Sequence, residues 1–254
     1  MYLMSITIGL LGLLIGSFLN VVIFRVPRGE SIVTPASHCP VCGQALRAWE
    51  LIPVLSFLVQ KGQCRNCQAR ISWRYPVVEL LTGSLFFFTA SLSLSTETNP
   101  ARLLLNLVFV AVLLALSFID LDTFRLPDVL TLPLLGIGLL GAFLIPGTPS
   151  GGESVLSALG AGGVFWGIAR VYPQGMGLGD VKLVAALGAC LGFPAVFLAV
   201  FVGSFVGALV GILQLVMGRK RFRQQIPFGP YLALGAIFAL LWGTRIFAWY
   251  WTQV

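Results

Sequence analysis

Two sets of side chains in this sequence have the types and spacing to do chemistry. The first is Cys39-Pro40-Val41-Cys42 followed, after 21 intervening residues, by Cys64-Arg65-Asn66-Cys67. Two C-x2-C pairs offer four thiolates, the ligand set of a closed tetrahedral Zn²⁺ site, and such a site is structural because no position is left for water. Two disulfides are the other reading of the same four residues. His38, the single histidine, would be surplus to a complete tetrahedron and is expected to face solvent or stand behind the ligands. Cys190 lies in an apolar run and reads as a small core residue.

The second set is acidic. Asp120 ends the apolar run Ala115-Leu116-Ser117-Phe118-Ile119, and Asp180 closes Gly175-Met176-Gly177-Leu178-Gly179-Asp180. Ionisable groups beside apolar spans are costly and tend to be functional. Two carboxylates held close in low dielectric share a proton, so one works as a base toward water while the other donates to a carbonyl; that is the logic of aspartic proteolysis. Gly177 and Gly179 permit an irregular backbone and form a candidate active-site loop. The glycine run resembles a nucleotide-binding loop only superficially, because no strand precedes it; a plain loop capped by Asp180 is its structural alternative. Asp128, in the connection from Asp122, is expected to cap the next helix. No serine or cysteine has a basic partner, since His38 belongs to another segment.

The elements that must position these groups are hydrophobic. Of 254 residues, 57% are hydrophobic and 10% charged, with mean hydropathy +0.95, which excludes an ordinary soluble globule and a disordered or collagen-like chain. Crossing about 30 Å of hydrocarbon takes roughly 17–25 apolar residues, and eight segments qualify, at 3–24, 76–96, 102–119, 128–145, 154–171, 181–193, 195–217 and 229–250. The sixth is short, and a re-entrant turn at Gly192-Phe193-Pro194 would leave seven spans. The first opens without basic residues and lacks a cleavage-site pattern before Arg25, so it reads as a retained span. The sequence therefore predicts an all-α polytopic membrane protein: a first helix at 1–24, a tetracysteine domain at 25–75, and a membrane domain at 76–254 that carries the acid pair. A 51-residue insert is near the size at which a hydrophobic core alone is marginal, so a metal staple has a physical task.

Basic residues fix the orientation. With eight alternating spans, Arg25, Arg28, Arg47, Lys61, Arg65, Arg70, Arg74, Arg125, Arg170, Lys182, Arg219, Lys220, Arg221 and Arg223 fall on one side and only Arg102 and Arg245 on the other. The first side is cytoplasmic. Thiols stay reduced there, which favours zinc over disulfides, and Asp120 and Asp180 come to that same face on separate helices. The net charge of +7 is accounted for by topology and attraction to anionic headgroups; the basic residues are divided among loops, so no nucleic-acid surface is implied. Gly12 with Gly16, and Gly203 with Gly207 and Gly211, have the spacing that lets helices approach closely in lipid.

Taken in order, Gly16-Ser17-Phe18-Leu19-Asn20 through Arg25-Val26-Pro27, the two cysteine pairs, Ile52-Pro53-Val54-Leu55-Ser56, Ile71-Ser72-Trp73-Arg74-Tyr75-Pro76-Val77-Val78-Glu79, Ile119-Asp120-Leu121-Asp122, Leu126-Pro127-Asp128 and Gly177-Leu178-Gly179-Asp180-Val181-Lys182-Leu183 resemble the type IV prepilin peptidase family over nearly the whole chain. The resemblance implies catalysis by Asp120 and Asp180 in a multi-pass bacterial inner-membrane enzyme. Its action would be removal of a short basic leader from prepilins and pseudopilins on the cytoplasmic side. The tetracysteine insert accompanies members that also methylate the new N-terminus with S-adenosylmethionine, so both activities are implied. Glu50-Leu51 departs from the asparagine often found before Ile-Pro-Val. Glu79, at the junction of insert and second span, is a candidate to attract the cationic methyl donor, with a buried or capping role as its alternative. A different class of function, an ion- or metal-coupled transporter, would place its acids near midplane between repeated halves; the aspartates lie at one face and no repeat is evident.

Overall fold

The computed structural model describes residues 2–96, 99–147, 149–173, 175–217 and 227–253. Arg219, Lys220, Arg221 and Arg223, which the charge count places on the cytoplasmic side, lie outside the described residues. Among those described, the architecture is helical, with α1 (Tyr2–Arg25), α2 (Leu55–Val59), α3 (Arg74–Thr96), α4 (Pro100–Thr123), α5 (Asp128–Leu144), α6 (Gly151–Val171), α7 (Leu178–Leu191), α8 (Phe193–Val216) and α9 (Gly229–Gln253). Each of the eight expected apolar segments forms one of these helices, and α2 lies in the insert. Six are long and apolar enough to cross a membrane: α1, α3, α4, α6, α8 and α9.

The chain forms two compact units, Met1–Thr98 and Asn99–Val254, so the second span falls in the unit of the first span and the insert. In the first unit, α1 packs along α3. The buried positions of α1 include Gly12, Gly16, Leu19, Asn20 and Ile23, and those of α3 include Val78, Glu79, Thr82, Phe86 and Thr89. Both sets follow the three-and-four spacing of one helix face. Without a hydrophobic drive between helices in lipid, contact depends on backbones coming close. A Cβ at Gly16 would lie 2.6 Å from the Cα of Glu79, and one at Gly12 2.7 Å from the Cβ of Phe86, so the small-residue pair marks this seam.

The second unit is organised around α7. At 14 residues it rises about 21 Å, too short to cross hydrocarbon alone. Its apolar residues are turned into protein instead: Leu183, Val184, Ala186, Leu187 and Ala189 are fully buried, with α5, α6, α8 and α9 packed around them. Close approach to α6 depends on Gly188, where a Cβ would stand 2.6 Å from the carbonyl oxygen of Ser157, and the buried Ser154 hydroxyl donates to the Ala189 carbonyl at 2.7 Å. The helix stops at Gly192, whose φ of +79° suits glycine, and α8 starts at the next residue. On α8, Gly203 admits α9, since a Cβ there would be 2.7 Å from the Tyr231 carbonyl oxygen.

Candidate active site and cysteine centre

The candidate acid pair lies wholly within the second unit. Asp120 sits in the last turn of α4, 5% exposed, one turn before Phe124 ends the helix in a left-handed conformation at φ +53°. A carboxylate this enclosed needs a donor, and the backbone N–H of Gly229, the first residue of α9, supplies one to Oδ2 at 2.9 Å. A Cβ at Gly229 would lie 2.8 Å from that oxygen, so only glycine brings the start of α9 this close. Asp180 occupies the first turn of α7 and is half-buried. Its carboxylate accepts from the Gly177 N–H and lies within Coulombic reach of Asp120. The N-terminal end of α7 thus has an acid where the helix dipole favours one. Buried Leu126 fills the space below: its side chain would be 3.1 Å from a Cβ at Gly179 and from one at Gly229. One leucine therefore spaces the two acid-bearing turns.

Asp128 does not cap α5. The N-cap is Pro127, without a side-chain cap bond, and Asp128, already helical, directs both carboxylate oxygens to Lys182 Nζ at 2.7 and 2.8 Å. Its position one residue inside the helix prevents the capping geometry and leaves it free to tie α5 to α7. Asp122 is exposed. The Gly229 donor and the Asp128–Lys182 pair were missed from sequence; the signal available was Phe228-Gly229-Pro230, a helix start that says nothing about what it faces.

In the insert the four cysteines converge, with all four Sγ atoms within 4.8 Å of one another. Cys39 and Cys67 are 3.8 Å apart, Cys42 and Cys64 4.0 Å. A tetrahedron with Zn–S bonds of about 2.3 Å has S···S edges of about 3.8 Å, so the spacing fits a metal, and all four are free thiols. Each pair is presented by the same backbone device. Cys39 N–H donates to the Gln44 carbonyl and Cys64 N–H to the Ala69 carbonyl, five residues on in both cases, at 2.9 and 2.8 Å. After the second cysteine of each pair comes a positive φ, +70° at Gly43 and +59° at Gln68. The Gln44 backbone and the Asn66 side chain hold the Cys42 thiol down at about 6, and the backbones of Cys67 and Asn66 lower Cys64. Cys67, despite a favourable N–H from Ala69, is pushed up to about 11 by burial and by its neighbours Cys42, Cys64 and Cys39. Four thiolates repel one another unless a cation sits among them. His38 is exposed, its Nδ1 3.0 Å from the Ala36 carbonyl.

Glu79 is buried near the top of α3. Its Oε2 accepts the Val54 N–H at 2.8 Å, and the Ser17 hydroxyl donates to the same carboxylate. Val54 has φ +61°, a conformation costly for a β-branched residue, so this bond holds a strained turn of the insert against α1 and α3.

Comparison with known proteins covers both units. Residues 10–92 match the model described as Bacterial Peptidase A24 N-terminal domain, and residues 107–212 the model described as Type IV leader peptidase family. The prepilin leader peptidase/N-methyltransferase of Aeromonas hydrophila is 42% identical over 96% of this chain and 92% of its own length. The proteins of the same name from Pseudomonas aeruginosa and Burkholderia pseudomallei (strain 1026b) are 40% and 38% identical, each over 93% of this chain and over 90% and 85% of their own lengths. No solved structure matches the chain.

Proposed function

The chain belongs to the type IV leader peptidase family, and we propose that it is a multi-pass inner-membrane aspartic endopeptidase that removes the leader of prepilins and pseudopilins at the cytoplasmic face and then N-methylates the exposed amine. The observation that carries the peptidase reading is the pairing of Asp120 and Asp180. One carboxylate is enclosed and held by a backbone N–H, and the other is half-buried at a helix start within its field. In this arrangement the ionised partner takes a proton from water, the protonated partner donates to the scissile carbonyl, and the proton returns as the amine leaves. Gly177, at the N-cap of α7, keeps the approach to the Asp180 carboxylate free of a side chain at that position, and Gly179, in the first turn of the helix, admits Leu126 beneath the acid-bearing turn.

Zinc held by Cys39, Cys42, Cys64 and Cys67 is assigned a structural role, because four thiolates leave no open position. Methylation uses S-adenosylmethionine, which supplies an electrophilic methyl group on a sulfonium. The leader must leave first, since the amine is created by cleavage. Glu79, whose carboxylate is engaged by Val54 and Ser17, serves this activity as a positioning residue for the insert.

The test is incubation of the detergent-purified protein with a prepilin and S-adenosylmethionine, followed by mass measurement. Loss of the leader mass with gain of one methyl supports the reading. An unchanged substrate refutes it, and a cleaved, unmethylated product removes the transferase half.

A further inference from the structure

The cysteine insert contains a cleft of about 500 Å³ lined by Phe57, Leu58, Lys61, Gln63, Arg70 and Trp73. Two aromatic rings make its corner: Phe57 and Trp73 have centroids 4.8 Å apart and planes tilted by 59°. Phe57 is 8% exposed and forms the floor, whereas Trp73 is 70% exposed and offers a broad indole face. The cleft's walls are tied together behind these rings. Gln63 and Arg70 form an antiparallel bridge, and Ile71 N–H donates to the Gly62 carbonyl at 2.8 Å, next to the Cys64-to-Ala69 bond that folds the second cysteine turn. The geometry of the cleft is therefore set by the cysteine centre, although no cysteine lines it.

We propose that this cleft binds the methyl donor, S-adenosylmethionine; the inference rests on the methyltransferase reading above. Three parts of that molecule have counterparts here. A purine stacks on an indole face. A sulfonium is drawn to the faces of aromatic rings, which matters because no carboxylate lines the cleft. The amino-acid carboxylate is recognised by charge-assisted hydrogen bonds from Lys61 and Arg70. The volume lies within the roughly 300–1,000 Å³ of small-molecule sites. Placing the donor here also explains why methylation should need the cysteine insert while cleavage does not: loosening the Cys64–Cys67 turn separates Gln63 from Arg70 and opens the corner.

The test is calorimetric titration of the purified full chain in detergent with S-adenosylhomocysteine and with sinefungin, whose amine stands where the sulfonium would be. Zinc content and prepilin cleavage are measured on the same preparations. Trp73→Ala is expected to weaken both ligands at least tenfold, sinefungin more, and Trp73→Phe to recover most of the loss. Arg70→Gln and Lys61→Gln are expected to weaken both ligands severalfold, with cleavage and zinc unchanged. Wild-type affinity in Trp73→Ala and Arg70→Gln overturns the assignment. If Trp73→Ala sheds its metal, Lys61→Gln, on an exposed rim position, decides by the same criterion. A wild-type protein that binds neither ligand and adds no methyl mass overturns the methyltransferase reading itself, and with it the role of the cleft.

Discussion

Replacing Gly229 by alanine isolates the contribution of one backbone donor to the acid pair. The new Cβ would lie 2.8 Å from Asp120 Oδ2 and 3.1 Å from Leu126 Cδ2, inside the roughly 3.5–4.0 Å at which carbon contacts are most favourable. Leu126 has little room to retreat, because it is also close beneath Gly179. The carboxylate is the group that yields, and its 2.9 Å bond to the Gly229 N–H stretches beyond useful length. A hydrogen bond to a charged group contributes about 1.5–3 kcal/mol. If that is lost in the transition state, cleavage falls about 10- to 150-fold, at about 1.36 kcal/mol per decade. The assay is the initial rate of leader removal by purified Gly229→Ala, paired with methylation of a pre-cleaved pilin as an internal control. Slower cleavage with normal methylation supports the contact; cleavage within twofold of wild type refutes the assignment of Gly229 as the donor that positions Asp120.

Four further outcomes follow from the contacts. Chelating the metal, or Cys64→Ser, should make the insert protease-sensitive and abolish methylation while most cleavage remains, because metal binding energy is folding energy in small sites; limited proteolysis with mass mapping reads this. Metal should stay bound at pH 7 and leave on acidification, because protons compete with it for the four thiolates; zinc release followed by a colorimetric chelator gives the midpoint, and no release down to pH 4 would contradict it. Asp128→Asn breaks only a largely exposed ion pair to Lys182, worth about 1 kcal/mol or less, so thermal stability and cleavage should change little. Glu79→Gln keeps an acceptor for the Val54 N–H and should retain much of the methylation, whereas Glu79→Ala releases that turn and should yield cleaved, unmethylated pilin by mass.

The eight apolar segments were legible because their surroundings, hydrocarbon for the long helices and packed protein for α7, demand apolar side chains along the whole helix, and the cysteine centre because two equal spacings repeat one backbone turn. Asp120 and Asp180 stood out as acids where apolar helices begin or end. What the sequence could not reveal are contacts made across long separations. The donor to Asp120 is a backbone group 109 residues away, and no side-chain pattern encodes it. Asp128 looked like a cap because proximity to a helix start is visible in sequence, while Lys182, 54 residues on, becomes its partner only when α5 and α7 pack. The engagement of Glu79 depends on a strained valine in the insert, which propensity argues against. The short length of α7 was visible, but its enclosure by four helices was not.

The most direct test of the shared-proton pair compares wild type with Asp120→Asn and Asp180→Asn, each purified in detergent and matched for melting temperature, in prepilin cleavage followed by mass spectrometry. Both amides should keep the fold, and both should leave the prepilin at its full mass while still methylating a pre-cleaved pilin. Leader removal by either variant at more than a few per cent of the wild-type rate would contradict catalysis by this pair.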